Sequence, residues 1–219
     1  MIVKHMANRT ENIGFLHIPK TGGTTLRDIF YSQYSYLNED EVYTVRTLHE
    51  TQKFWDLSEE AAEKIKLLIG HFKFGAHYKF SKTFKYVAFI RDPIERSLSS
   101  YYFSKWDVNN EQYEYINKSH ISPVDFLCGG RFPWLENTQT KLIAGIDDAS
   151  QPCDEEIYRR AISNIENHFH MVGTIEKYDE SLIATENMTI AVQFNGKTRG
   201  TIDVNTDSSK DDIIQNITK

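Results

Sequence analysis

Short, mostly apolar runs alternate along most of the chain with more polar segments that contain helix signals. The runs cover residues 13–18, 67–70, 85–90 and 170–174, and each predicts a short buried strand. Helices are predicted between these runs, over residues 24–34, 58–65, 93–106, 122–127, 137–144 and 154–167. This alternation predicts an α/β fold, in which a parallel sheet flanked by helices binds its ligand at the carboxyl ends of the strands.

A turn rich in glycine and hydroxyl groups joins the first predicted strand to the first predicted helix. It contains Pro19, Lys20, Thr21, Gly22, Gly23, Thr24 and Thr25. The free N–H groups of the turn and of the helix start converge there, and the helix dipole favours an anion. The glycines allow the backbone to approach that anion, Lys20 adds a positive charge, and the threonines add hydroxyl donors. The turn is therefore a predicted phosphate site; the alternative is an ordinary strand-to-helix turn whose glycines serve geometry alone.

The order of residues in this turn differs from that of a Walker A loop. Lys20 precedes the glycines, whereas the Walker A lysine follows them. A kinase also needs a carboxylate that holds magnesium, and we find no strand ending in the Asp of a Walker B motif. A P-loop kinase is therefore a less favoured interpretation.

A second polar segment follows the third predicted strand. Arg91 ends that strand, and Ser99 lies eight residues later, about two turns into the next helix. A guanidinium and a hydroxyl in this arrangement can hold a phosphate together. Asp92, Pro93 and Glu95 predict a sharply defined helix start, with a capping box between Asp92 and Glu95. The alternative is a local Arg91–Asp92 ion pair with Ser99 as a surface hydroxyl.

Both segments resemble those of sulfotransferases. Residues 15–26 resemble the 5′-phosphosulfate loop, and residues 87–103 resemble the 3′-phosphate-binding segment, most closely that of the uronosyl 2-O-sulfotransferase branch. With further similar segments the resemblance extends over about residues 12–183. It implies a P-loop-NTPase-like fold and transfer of a sulfuryl group from 3′-phosphoadenosine 5′-phosphosulfate (PAPS), with adenosine 3′,5′-bisphosphate as product and no metal. The implied acceptor is a hydroxyl group, and the branch points to a carbohydrate (glycan).

Two residues are predicted to act in catalysis. Transfer requires stabilisation of negative charge on the departing phosphate and removal of the acceptor's proton. Lys20 suits the first role, and His71 suits the second because a histidine titrates near neutral pH. Residues 70–74 also resemble the Gly-His segment that supplies the base in 2-O-sulfotransferase-like enzymes. His77 is the second candidate, for base or acceptor contact; an Asp or Glu base stays open, and His17 is expected to be structural.

One further lysine is a candidate contact. Residues 137–145 resemble a segment of bacterial members that borders the donor and acceptor pocket. Lys141 within it is predicted to contact a phosphate or an anionic acceptor, or else to lie on solvated surface.

Composition and charge narrow the class of protein. The 219 residues, 40% of them apolar, suit one α/β domain with a small appendage. A net charge of −6 argues against DNA binding. The two cysteines, Cys128 and Cys153, form no C-x-x-C pattern, which fits a reducing compartment without a disulfide scaffold or a zinc site. With no apolar run of spanning length and no signal peptide in residues 1–11, we expect a bacterial-type cytoplasmic protein without a membrane partner.

The C-terminal residues depart from the family pattern. Family members continue with a basic, glycine-containing loop that closes over the 3′-phosphate, and we expect that region to be replaced here. Residues 188–194 and 198–204 predict a β-hairpin that turns at Asn195 and Gly196, and Ser208 predicts a final short helix. This ββα appendage resembles the start of the C-terminal tRNA-contacting domain of bacterial leucyl-tRNA synthetase.

The sequence thus predicts two domains and leaves three functions open. Residues 1–185 are predicted to be a sulfotransferase domain that is truncated at its C-terminus, and residues 186–219 to be the hairpin and helix tail. The favoured function is PAPS-dependent sulfuryl transfer, of the EC 2.8.2 type. The alternatives are a P-loop kinase and a non-catalytic protein that binds 3′,5′-phosphorylated nucleotides or, through the tail, tRNA.

Overall fold

The computed structural model describes residues 12–47, 50–81 and 83–177, and the backbone of 187–194 and 197–205. The strands of the main sheet are β1 (Asn12–Leu16), β2 (Val42–Val45), β3 (Leu67–Gly70), β4 (Phe84–Ile90) and β5 (Phe169–Thr174). The α-helices are α1 (Gly23–Gln33), α2 (Thr51–Trp55), α3 (Glu59–Lys64), α4 (Pro93–Trp106), α5 (Tyr113–Lys118), α6 (Pro123–Cys128), α7 (Thr138–Ile143) and α8 (Glu155–His168).

The five strands are all parallel and lie in the order β2-β3-β1-β4-β5. β1 is central, with Leu16 opposite Gly70 of β3 on one side and Ala88 of β4 on the other. The segments that follow β1, β3 and β4 therefore leave the sheet side by side at its carboxyl edge. The predicted α/β fold, a parallel sheet flanked by helices, is confirmed.

Two apolar cores cover the two faces of the sheet. On one face, Phe15 packs against Phe30 of α1, with ring centroids 5.0 Å apart, and both side chains are buried. On the other face, residues of α2, α3, α7 and α8 pack against the sheet around Tyr86. Burial of an apolar side chain of this size contributes about 1.5–3 kcal/mol, so α1 is firmly attached to β1. The turn between β1 and α1 is therefore attached to the core at both ends.

Short polar side chains define the helix starts. Ser58 accepts a hydrogen bond from the amide of Ala61 at the start of α3. Asp92 accepts hydrogen bonds from the amides of Ile94 and Glu95 at the start of α4, and Pro93 is the first helical residue. Each such cap contributes about 1 kcal/mol. The start of α4, and with it the end of β4, is thereby fixed.

Three elements of the sheet domain differ from prediction. β1 ends at Leu16, so His17 follows the strand instead of lying inside it. β2 and α2 occur between the predicted helices over residues 24–34 and 58–65, where no element is predicted. β2 escapes prediction because it is an edge strand in which only Val45 is buried. Such a strand gains its stability from pairing with β3 and not from its own apolar pattern.

The C-terminal hairpin is present as predicted. Strands β6 (Asn187–Phe194) and β7 (Lys197–Asn205) pair antiparallel in a sheet of their own. The predicted turn at Asn195 and Gly196, the helix from Ser208 and the domain boundary at residue 185 lie outside the described residues, so the division into two domains stays a prediction. No helix in the described part of the chain has the length and apolar character needed to cross a membrane.

Candidate active site

The turn between β1 and α1 has the backbone of an anion site. Lys20 and Gly22 both have left-handed backbones, with φ of 71° and 72°, a conformation that is strained for a lysine. Gly22 is the N-cap of α1 and offers no capping side chain. The first amides of this eleven-residue helix therefore receive no hydrogen bond from a cap residue, and with the helix dipole they favour an anion.

The threonines and Pro19 of this turn are not equivalent. Thr21 is buried and donates its hydroxyl hydrogen to the carbonyl of Ile18, at 2.8 Å. That hydroxyl stabilises the turn, contrary to the prediction that it donates to a ligand. Thr24 is exposed in the first turn of α1, and Thr25 and Pro19 are half-buried.

Gly23 is required by the packing of His17. A Cβ at Gly23 would lie 1.9 Å from Cδ2 and 2.0 Å from Nε2 of the His17 ring. Real Cβ contacts are never this short, so any side chain at position 23 must displace the imidazole. The sequence predicts that this glycine leaves room for the anion, whereas the structure shows that it leaves room for a histidine.

His71 lies directly after β3 and is oriented by the end of β1. Its Nδ1 is 2.7 Å from the carbonyl oxygen of His17. A carbonyl only accepts, so Nδ1 carries the hydrogen and Nε2 keeps a lone pair that can take a proton. The backbone amide of His71 donates to the carbonyl of Val45 at 2.9 Å, which fixes the residue from the β2 side.

Burial lowers the pKa of His71 below its usual value, and the positive charge of Arg27 lowers this pKa further. The hydrogen bond to the His17 carbonyl acts in the opposite direction, but burial is the larger effect. The imidazole is therefore neutral at neutral pH, which is the form that a general base requires.

The ring of His17 packs against the ring of His71. The centroids of the His17 and His71 rings lie 4.4 Å apart, and the Phe15 ring stacks on His17 with its centroid at 5.6 Å. Burial lowers the pKa of His17 to about 3, and the neighbouring His71, Arg27 and Lys20 lower it as well. His17 is therefore a neutral imidazole ring that packs between the lysine turn and His71.

The side chain of Lys20 extends towards α4. Its Nζ lies 4.0 Å from the centre of the Phe103 ring. Burial lowers the pKa of Lys20, Arg91 lowers it further, and Asp107 raises it. The Lys20 turn and the Arg91 segment, which follow neighbouring strands, are thus close enough for their charges to interact.

The backbone of Arg91 is held by one side chain of α7. The carboxamide of Gln139 accepts a hydrogen bond from the Arg91 amide at 2.9 Å and donates one to the Arg91 carbonyl at 2.8 Å. The guanidinium of Arg91 lies 3.5 Å from the carboxylate of Glu95. Such a long, partly exposed pair contributes little stability, so the guanidinium can exchange this partner for a phosphate.

The helix start next to Arg91 differs from prediction in one contact. The backbone amide of Asp92 donates to the carboxylate of Glu176 at 2.7 Å. The predicted capping box is therefore wrong, because Glu95 turns towards Arg91 and a residue 84 positions away takes its place.

Ser99 lies between the two cationic groups on one face of α4. Glu95, Ser99 and Phe103 are spaced four residues apart, so their side chains lie one above another on the helix. Arg91 pairs with Glu95 at the lower end of this row, and Lys20 packs on Phe103 at the upper end. The half-buried Ser99 lies between these two contacts on the helix, and its pairing with Arg91 on a phosphate stays a prediction.

The structure places His77 away from this cluster. His77 stacks on His168, with ring centroids 4.9 Å apart, and its Nδ1 lies 3.0 Å from the hydroxyl of Tyr86. His168 immediately precedes β5, so the pair lies towards the amino ends of the strands, opposite the site. The structure therefore does not bring His77 together with His71, Lys20 and Arg91, near which an acceptor contact or a replacement base would have to lie.

Lys141 is also not placed as predicted. It is buried, and its Nζ donates to the carbonyl of Ala149 at 3.0 Å. Lys141 therefore lies neither on the solvated surface nor in contact with the cluster around Lys20, since its ammonium bonds the loop before α8 to α7. Its sequence signal, a lysine in a polar helix start, does not distinguish these cases.

A cleft of about 520 Å³ opens beside His71 on the side of α1 and β2. We call it the α1–β2 cleft; it is lined by His17, Arg27, Asp28, Tyr31, Thr44, Val45, Arg46, Ile69, Gly70 and His71. Among the residues that the structure describes, no group of His, Cys, Asp and Glu side chains is arranged to hold a metal ion.

Sequence reasoning missed Gln139, because its two bonds join residues 48 positions apart. The sequence predicts a structural role for His17, and the packing of its ring on Phe15 and His71 fits that role.

A family model described as sulfotransferase family matches residues 4–181, which is more than half of the chain. A sequence comparison with curated proteins finds no match.

Proposed function

Because this chain belongs to the sulfotransferase family, whose members transfer sulfuryl groups to hydroxyl-bearing acceptors, we propose that it uses PAPS as donor and a carbohydrate hydroxyl as acceptor. The single observation that supports this donor is that the Lys20 turn and Arg91 follow the paired parallel strands β1 and β4, close enough for the charge of Arg91 to lower the pKa of Lys20. Two cationic groups on neighbouring strand ends suit a nucleotide with phosphate at both its 5′ and 3′ positions.

The residues present fit that donor. The α1 amides that Gly22 leaves uncapped, together with Lys20, would hold the 5′-phosphosulfate. Arg91 and Ser99 would hold the 3′-phosphate, since a guanidinium gives paired donors and a hydroxyl adds a third. When bound, PAPS supplies the sulfuryl group and is released as adenosine 3′,5′-bisphosphate.

His71 would act as the general base. Its Nε2 is the ring nitrogen left free by the bond from Nδ1 to the His17 carbonyl, and it would take the proton of the acceptor hydroxyl. Lys20 would stabilise the negative charge that develops on the 5′-phosphate side, because Lys20 is a half-buried residue and electrostatic interactions are stronger there than in water. Gln139 would keep Arg91 in place through its two backbone bonds.

His71→Asn tests the catalytic part of the proposal. Asparagine keeps a donor for the His17 carbonyl but has no basic nitrogen, so we expect kcat for transfer of radiolabelled sulfate from PAPS to fall by about 10²–10⁴-fold. Adenosine 3′,5′-bisphosphate should still stabilise this variant against heat, by about 2.7 kcal/mol at one hundred times its Kd. In the wild type the acidic limb of the kcat profile should have a midpoint below pH 6.5, because burial lowers the pKa of the base.

His77→Asn is the matched control, since it changes the same residue type at the opposite edge of the sheet, and it should retain activity. Undiminished transfer by His71→Asn would exclude His71 as base. Equal stabilisation of the wild type by ATP with magnesium and by adenosine 3′,5′-bisphosphate would contradict the proposed donor.

A further inference from the structure

Arg96 of α4 is a buried cation that the site described above does not use. Only 3% of its surface is exposed. Its Nη2 donates to the carbonyl of Leu135 at 3.0 Å and to the hydroxyl of Thr138 at 3.2 Å. Both acceptors are uncharged. Within the described part of the chain, Nε has no hydrogen-bond partner and no carboxylate forms an ion pair with the guanidinium. An unpaired charge is expensive to bury, so stability alone does not account for an arginine at this position.

The contacts of Arg96 hold the start of α7, which no local cap fixes. Asn137, the N-cap residue of α7, has a left-handed backbone with φ of 50°, and its side chain makes no capping hydrogen bond. This differs from α3 and α4, whose starts have side-chain caps. The hydroxyl of Thr138 instead accepts a hydrogen bond from Arg96 and donates one to the carbonyl of Trp134. The start of α7 is therefore fixed by a contact with α4, 42 positions away in sequence.

The next residue of α7 is the one that holds Arg91. Gln139 bonds the amide and the carbonyl of Arg91, at 2.9 and 2.8 Å. Thr138 and Gln139 lie in the same first turn of α7, so a shift of this helix start would move the carboxamide of Gln139 and loosen the Arg91 backbone. A small displacement matters there, because a guanidinium binds a phosphate through paired hydrogen bonds of fixed geometry.

We propose that Arg96 is a positioning residue for the 3′-phosphate of the donor. Its guanidinium fixes the first turn of α7, that turn fixes Gln139, and Gln139 holds Arg91 in the orientation that receives the phosphate. This inference rests on the proposed function, because it takes Arg91 as the group that binds the 3′-phosphate. Since Arg96 is buried, its effect passes through Gln139 and not through a contact with the nucleotide.

The test compares two nucleotides that differ only in the 3′-phosphate. Kd values of adenosine 3′,5′-bisphosphate and adenosine 5′-phosphate are measured by calorimetry, and their ratio gives the affinity advantage of the bisphosphate. We expect Arg96→Met, which keeps an apolar stem but has no donor, to reduce this advantage about tenfold, the effect of one hydrogen bond to a charged group. Affinity for the monophosphate should change much less. Arg96→Lys, whose ammonium can donate to the same two acceptors, should retain most of the advantage.

Two further variants separate this role from a general loss of stability. Asn164→Ala is the matched control, because Asn164 of α8 donates to the carbonyl of Ile143 at 2.8 Å and so holds the other end of α7. It should lower Tm without changing the affinity advantage. Thr138→Val removes the hydroxyl that accepts from Arg96 and should reduce the advantage in the same direction as Arg96→Met. It tests the same contact if Arg96→Met does not fold.

A double-mutant cycle with Gln139→Ala tests the route of the effect. If Arg96 acts through Gln139, Arg96→Met should change the advantage little in the Gln139→Ala background. An unchanged advantage in folded Arg96→Met or in Thr138→Val, an equal loss in Asn164→Ala, or a full further loss without the Gln139 side chain would overturn the inference and leave the proposed donor intact. Equal affinity of the wild type for the two nucleotides would instead refute the proposed donor, and this inference with it.

Discussion

Replacing Gly23 by alanine separates two reasons for a glycine at the start of α1. If the glycine only admits an anion, Gly23→Ala lowers donor affinity and leaves the fold as stable as before. The structure instead places the new Cβ 1.9–2.6 Å from three atoms of the His17 ring. That ring cannot move freely, because Phe15 stacks on it at 5.6 Å and His71 lies at 4.4 Å.

The expected magnitude follows from two opposing terms. Overpacking of this kind costs about 1–3 kcal/mol. Alanine is favoured over glycine by at most about 1 kcal/mol within a helix, and less at its first residue. The clash therefore exceeds the gain, and we expect a net loss of about 1–2 kcal/mol, or roughly 2–8 °C in Tm for a chain of this size.

A double-mutant cycle tests this explanation by thermal or urea unfolding. In a His17→Ala background the clash partner is absent, so Gly23→Ala should cost little there or become stabilising. The kcat of Gly23→Ala for sulfuryl transfer should also be reduced, because a displaced His17 no longer positions His71. A loss of stability that is the same with and without the His17 ring would refute the reasoning.

Three further predictions concern single side chains. The pKa of His17 is about 3 in the folded chain and 6.5 when unfolded, so the unfolded chain binds more protons between these pH values. The free energy of unfolding should therefore decrease as pH falls from 6.5 towards 3, by up to about 1.4 kcal/mol per pH unit. Urea unfolding at pH 7 and pH 5 should show a smaller decrease for His17→Asn than for the wild type, and equal decreases would contradict the burial of a neutral His17. Gln139→Ala removes the side chain that bonds the Arg91 amide and carbonyl. Calorimetry should show that it weakens binding of adenosine 3′,5′-bisphosphate more than binding of adenosine 5′-phosphate. Equal weakening of the two would exclude a role through the 3′-phosphate. Lys141→Met removes a buried ammonium that bonds one carbonyl and should leave bisphosphate affinity unchanged, whereas a tenfold loss would restore the phosphate contact that the sequence predicts.

The local features of the site were predictable because neighbouring residues produce them. A strand of apolar residues, a turn with Gly22 and a helix start are encoded within residues 12–33, and the amides of such a turn converge whatever the rest of the chain does. The cap at Asp92 likewise depends on the two residues after Pro93. Partners that are distant in sequence were not predictable in this way. Glu176 replaces Glu95 at the Asp92 amide, and Gln139 holds Arg91, because the fold brings side chains of other elements next to these groups.

The sequence by itself determined the α/β class, four of the five strands of the main sheet, and the two cationic segments that follow β1 and β4, because periodicity and turn chemistry are local properties. Only the tertiary structure decided which side chains share a site. Parallel pairing of β1 with β3 and β4 brings His17, His71, Lys20 and Arg91 to one edge of the sheet, and the same pairing sends His77 to the opposite edge. Gly23 shows the reason most directly, since its role depends on an imidazole whose position is set by packing between Phe15 and His71.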